Sequence, residues 1–172
     1  MARWAGPPTE IVIRAATAAD QNPIREIDRL TWSSLSSPVP LPPPEREYGL
    51  DGLYVAELDD GIAGYVQIGP VFPIDSNRHV LEIKGIAVHP GHQRRGVARA
   101  LVHAAAKVAR EAGARRLTLR VLGNNAAARD LYAACGFEVE GVLREFFYLD
   151  GCYVDDVLMA LPLTGDGSRA SR

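Results

Sequence analysis

The chain has 172 residues, 47% of them hydrophobic and 23% charged, with a formal net charge of −2, the make-up of one globular domain large enough for a substantial core. That balance gives bulk charge no means to recruit nucleic acid or an acidic membrane surface, and no apolar run reaches the length of a membrane span. Cys135 and Cys152 are the only cysteines, too few for a disulfide framework and without metal-ligand spacing, so both read as reduced packing residues.

Residues 10–14, EIVIR, alternate as a short strand, and Thr17 to Asp20 offer caps for a helix running to Leu30. Five of the seven residues from Pro38 to Pro44 are proline, behind a small segment from Ser33 to Ser37. Such a run cannot continue a helix or lie centrally in a sheet. It forms an extended surface loop, either a spacer or the rim of a substrate cleft. LYVAEL at 53–58, Asp59-Asp60-Gly61 and IAGYVQIG at 62–69 read as a hairpin. A loop through Pro73 and Asn77 leads to a strand over 80–88 and a helix over 96–111 ended by Gly113. That helix has Ala98, Leu101, Val102, Ala105, Val108 and Ala109 at buried-face spacing. RLTLRVL at 116–122 is a strand, Asn124 and Asn125 cap a helix to Ala134, and Gly136 ends it. FEVEGVL begins a further strand, and EFFYLD, Gly151-Cys152 and YVDDVLMAL form a second hairpin.

This order of antiparallel strands, a βαβ unit and a closing hairpin is α+β: one mostly antiparallel sheet with a parallel join at its centre, flanked by helices. The expected divisions are an extension over 1–9, the domain over 10–163, and a small, polar, disordered tail over 164–172. The opening MARWAGPPTE lacks the apolar segment of a signal peptide, so a cytoplasmic location is expected.

The turn QRRGVA, Gln93 to Ala98, carries the first chemical signal. Gly96 lets backbone N–H groups converge where the next helix leaves its own N–H groups unpaired, and the helix dipole with Arg94 and Arg95 adds positive potential. Such a turn can hold a pyrophosphate. A glycine turn alone also serves packing in many strand-to-helix connections.

LEIKGIAVHPGHQRRGVARALVHAA resembles the acyl-CoA-binding motif of the GNAT superfamily of N-acetyltransferases, with Gln93, Arg95, Gly96 and Ala98 in its Q/R-x-x-G-x-G/A signature. NNAAARDLYAACGFEVEG, 124–141, resembles that superfamily's second motif. The resemblance implies a GNAT-type domain with a sheet splayed at its centre, and acetyl transfer from acetyl-CoA to a primary amine of a small molecule. It also implies backbone pairing of Ile86, Ala87 and Val88 with the pantetheine arm, and a pyrophosphate cradle made by Gln93, Arg94, Arg95, Gly96, Val97, Ala98 and Arg99. Asn125 would contact the cofactor arm and Tyr132 the thioester sulfur. Relatives are often homodimers, and the last hairpin offers an edge for pairing.

Acyl transfer to an amine needs a neutral nitrogen, stabilisation of charge on the thioester oxygen, and a proton for the thiolate. Amides at the end of the 80–88 strand suit the second need, with Gly85 permitting a bulge that aims them. Tyr132, seven residues beyond Asn125, shares a helix face with it and suits the third, the proton-donor role being favoured over core packing. Glu82, 14 residues before Gly96, matches the strand glutamate that is general base in the histone-acetylating branch. A carboxylate between Leu81 and Ile83 is partly desolvated, which strengthens it as a base, although a sheet-face ion pair fits the same pattern. In the branch acting on ribosomal protein N-termini the base lies on the following strand, where this chain has Arg120, which cannot serve.

No histidine has companions at metal-ligand spacing, so no metal is expected. No cysteine stands where a nucleophile is needed, which leaves direct transfer. Asp150, Asp155 and Asp156 in the last hairpin suit a cationic acceptor or a solvated hairpin end. Two other readings stay open: a protein N-terminal or lysine acetyltransferase, and a non-catalytic acyl-CoA-binding regulatory module.

Overall fold

Alternating apolar residues at 12–15, 53–58 and 61–70 give strands β1 (Val12–Ala15), β2 (Leu53–Leu58) and β3 (Gly61–Pro70), with helix α1 (Gln21–Thr31) between the first two. Then follow β4 (Val80–Val88), α2 (Val97–Glu111), β5 (Arg116–Leu122), α3 (Ala126–Ala134), β6 (Glu138–Leu149) and β7 (Cys152–Pro162). The computed structural model describes residues 10–43, 45–58 and 61–164; the expected extension over 1–9, the tail from 165 and the turn residues Asp59 and Asp60 lie outside them.

The seven strands form one sheet in the order β1-β2-β3-β4-β5-β7-β6. Every pairing is antiparallel except β4 with β5, the parallel join at the centre. Strand alternation gives the sheet two apolar faces. On one, α2 buries Val97, Leu101, Val102, Ala105, Ala106 and Ala109 against a core that includes Ala56, Val66, Ile83 and Leu117. Ala98 and Val108, expected on that face, are half-buried at its margins. On the other, α1 buries Ile24 and Ile27 against Leu53, Val55 and Tyr65.

Caps and turns account for the element ends. Thr17 and Asp20 form a capping box around a single 3₁₀ turn that leads into α1. Asn125 caps α3 by accepting from the Ala128 N–H. Gly113 and Gly136 take left-handed φ of 78° and 91° after α2 and α3. The last hairpin turns on Asp150-Gly151, with φ of 49° and 81°, so Cys152 already belongs to β7. EVEGVL and EFFYL belong to one strand, β6. Its register against β7 shifts between Val139 and Gly141 and again between Leu143 and Phe147, and Glu145 has φ 51°. These bulges keep the strand continuous where the sequence reads as broken.

The sheet opens at its centre. β4 faces β5 only from Val80↔Arg116 to Ile83↔Leu119, whereas β4 stays with β3 as far as Val88↔Gly64 and β5 stays with β7 as far as Leu122↔Asp156. A bulge coincides with the parting: Gln67 faces Gly85 and Ile68 faces Ile83, so Lys84 is the extra residue.

Candidate functional site

A cleft of about 940 Å³ occupies the opening between β4 and β5. Ile86, Ala87 and Val88 line its β4 wall, and Asn125, Ala128 and Tyr132 of the α3 segment line another. On the α1 side stand Asp28, Tyr48 and Tyr65, and at the fork Leu119, Arg120 and Asp156. Pro38, Val39, Pro40 and Pro42 line it as well, so the proline segment is a rim. Trp32 holds this rim by donating its indole N–H to the Val39 carbonyl at 2.9 Å, and Ser34 bonds Asp150 of the last hairpin.

The glycine turn stands at the outer end of the β4 wall. Gly96 is the N-cap of α2 with φ 86°, a conformation that admits glycine with little strain, and a side chain there would meet no protein atom within 4 Å. Arg94 also has positive φ, 62°. Beyond Gly96, the first N–H groups of α2 have no carbonyl within the helix to bond. Arg94, Arg95 and Arg99 are exposed around them. Gln93 and Ala98 line the cleft itself, and the Gln93 amide donates to the Val88 carbonyl at 3.4 Å, tying the turn to the strand end. Val97 is buried and anchors the helix start. Together these residues can hold an anion beside the cleft.

Asn125 and Tyr132 share the α3 wall. The Asn125 Oδ1 caps its helix at 3.2 Å from the Ala128 nitrogen, which leaves its Nδ2 as a donor. Tyr132 is 7% exposed and packs on Phe137, with ring centroids 5.9 Å apart. Among the described residues nothing bonds its hydroxyl. Burial, with Cys135 as a smaller influence, pushes the phenol up to about 12, so it stays protonated at any physiological pH.

Glu82 is not brought into the cleft. Leu81 and Ile83 pack toward α2, so Glu82 faces the other side of the sheet, on the closed stretch of β4 opposite Gly69 and Thr118. Its carboxylate accepts from Lys84 Nζ at 2.5 Å, and Lys84, not Glu82, lines the cleft. Gly85 sits at the bulge with its α-carbon toward open space and without positive φ.

Two clusters line the cleft whose partners the sequence does not bring together, although Asp156 is among the hairpin acids that suit a cationic acceptor. Asp28 accepts from the phenols of Tyr48 and Tyr65, one on each oxygen. Burial, reinforced by Asp28, holds both phenols well above the ordinary tyrosine range. Arg120 donates from Nε to Oδ2 of Asp156 at 2.6 Å and lies over the Phe146 ring, 5.4 Å from its centroid. The partners are 20 to 37 residues apart, and only an aspartate inside the apolar run VDDVLMAL hints at either cluster. The other hairpin acids turn outward: Asp155 accepts from Arg144 and the Glu145 N–H, and Asp150 from Ser34.

Cys135 and Cys152 are free and neither lines the cleft. Among the described residues no three or more acidic, histidine or cysteine side chains come together in a way that could hold a metal ion, and no helix is long and apolar enough to cross a membrane.

The chain is similar to proteins of known name. L-amino acid N-acetyltransferase AaaT of Escherichia coli K12 is 32% identical over 160 residues, covering 88% of this chain and 98% of that protein. The ribosomal protein bS18 alanine N-acetyltransferase of the same strain is 35% identical over 79 residues, 46% of this chain, and the match spans about half of that relative, 53%. Among solved structures, smu.2055 from Streptococcus mutans UA159 superposes with a TM-score of 0.79 at 29% identity, covering 89% of this chain and 99% of that one. YncA from Salmonella typhimurium, solved with its cofactor acetyl-CoA, has the same fold, with a TM-score of 0.76 at 24% identity over 92% of this chain and 97% of that one. The model of the acetyltransferase (GNAT) family matches residues 22–137, two thirds of the sequence, and the chain belongs to that family.

Proposed function

We propose that the cleft binds acetyl-CoA and transfers its acetyl group directly to a primary amine of a small molecule. The observation that carries this reading is Tyr132, a buried residue whose hydroxyl bonds no described residue and which lines the same cleft as Asn125 and the edge of β4 left unpaired among the described residues. The family match and the shared fold of a protein solved with acetyl-CoA support the choice of donor.

Acetyl-CoA supplies an acetyl group on a thioester. The α2 N-terminus with Arg94, Arg95 and Arg99 holds the pyrophosphate, and the Gly96 conformation leaves room for it. Beyond Ile83 the edge of β4 that faced β5 has no strand partner among the described residues, so Ile86, Ala87 and Val88 offer backbone groups to the pantetheine arm and the thioester oxygen. Tyr132 gives its proton to the departing sulfur. Glu82 takes the acceptor's proton by way of water, because its carboxylate lies outside the cleft and is held by Lys84.

A second reading, acetylation of a protein N-terminus, draws on the likeness to the bS18 alanine enzyme. Against it, the β5 position that would carry the base in that branch holds Arg120.

Thermal melting with and without acetyl-CoA tests the binding step. A ligand at a hundredfold excess over its Kd adds about 2.7 kcal/mol of stability, so the melting temperature rises; no shift at millimolar acetyl-CoA overturns the reading.

A further inference from the structure

We infer that the Arg120–Asp156 pair is the acceptor's docking point and that the acceptor is a free α-amino acid, held by its carboxylate on Arg120 and its amino group on Asp156. The inference rests on the acyl-transfer reading and names the acceptor class of that same cleft.

The pair is half spent on each side. Nε and Nη2 of Arg120 both donate to Oδ2 of Asp156, which leaves Nη1 of Arg120 and Oδ1 of Asp156 without a bond among the described residues. Asp156 is 2% exposed, whereas the Arg120 side chain is 47% exposed, and both line the cleft. A guanidinium edge suits a carboxylate, and a free carboxylate oxygen beside it suits an ammonium. An α-amino acid carries those two groups on one carbon, a separation that neighbouring partners of one ion pair can meet. A peptide N-terminus offers only the amino group, its carboxyl being an amide.

Position supports the assignment. Leu119 is the last β5 residue that faces β4, so Arg120 is the first residue past the fork. Leu117, Leu119 and Val121 pack toward α2, which turns Arg120 to the opposite side of the sheet, away from the helix that carries the anion cradle. Phe146 beneath the guanidinium and Asp156 beside it restrict its rotation.

The test is a matched series: leucine and phenylalanine, each compared with its primary amide, its decarboxylated amine and a short peptide that it begins, at fixed acetyl-CoA. The expected result is a kcat/KM about 100-fold higher for each amino acid than for its amide or amine, the scale of discrimination set by a lost charge-assisted hydrogen bond. Arg120→Lys keeps a positive charge for Asp156 but has no planar edge for a second carboxylate. In this variant the preference should fall to within about threefold, through a raised KM for the amino acids. Should it fail to fold, the wild-type series alone decides. Equal turnover of acids, amides and amines, or a preference for peptide N-termini, overturns the assignment and leaves acyl transfer standing. A full preference kept by folded Arg120→Lys overturns the role of Arg120. No transfer to any amine, peptides included, overturns acyl transfer and the assignment with it.

Discussion

Ile83 and Leu119 are the last residues at which β4 and β5 face each other, and the bulge at Lys84 begins immediately after. One parallel pairing thus ends where the cleft begins, and Gly85 lies on its floor. A side chain at Gly85 would meet no protein atom within 4 Å and needs no unusual φ. Gly85→Leu should therefore leave the melting temperature nearly unchanged while obstructing the cleft, raising the KM for acetyl-CoA or acceptor about tenfold or more. Gly64 is the contrast: a Cβ there would lie 2.7 Å from the Ala87 carbonyl oxygen, so Gly64→Ala should destabilise the fold. Paired melting and steady-state kinetics check both variants.

Tyr132→Phe removes a hydroxyl that bonds no described residue, so folding should be unaffected. The account expects kcat to fall about 100-fold or more with little change in acetyl-CoA affinity, as for loss of a proton donor. Single-turnover kinetics beside isothermal titration separates the two quantities. With the phenol pushed up to about 12, its ionisation should not impose a falling limb on the rate profile below pH 10.

For Glu82 the informative variable is pH. If its carboxylate takes the acceptor's proton through water, Glu82→Gln should be slowest at low pH and recover as pH rises and free amine accumulates. A loss of the same size across the whole profile would instead assign Glu82 to its ion pair with Lys84.

Asp20 gives a stability prediction remote from the cleft. Its carboxyl falls from 3.8 to about 2, chiefly through the hydrogen bond from Arg14 and further through bonds from Thr17. A folded-state value below the unfolded one stabilises the fold at pH above about 4 and loses that contribution as pH falls toward 2. Asp20→Asn should cost about 1–2 kcal/mol at pH 7, allowing for the partial exposure of Arg14, and almost nothing near pH 2. Urea unfolding at several pH values measures the difference.

Local chemistry made most of the fold legible. Alternation marked β4 and β5, glycines marked the ends of α2 and α3, and Asn125 marked a helix start, because each signal acts within a few residues. The glycine turn before α2 and the Asn125–Tyr132 wall were legible for the same reason, being one turn and one helix face. The facing of Glu82 was not, because periodicity names two sides of a strand without saying which one the cleft will share. The bulge at Lys84 then resets the alternation for Ile86 to Val88. Arg120 with Asp156, and Asp28 with Tyr48 and Tyr65, depend on strands and a helix meeting across the sheet, which no short window of sequence records.

The most direct test of the central claim is to incubate the protein with acetyl-CoA and a panel of amino acids, small amines and short peptides, following free CoA and product mass together. The account predicts a small-molecule product carrying one added acetyl group, formed in step with CoA. CoA release no faster than spontaneous hydrolysis, with no acetylated member of the panel although acetyl-CoA binds, would contradict it and leave a silent acyl-CoA-binding module.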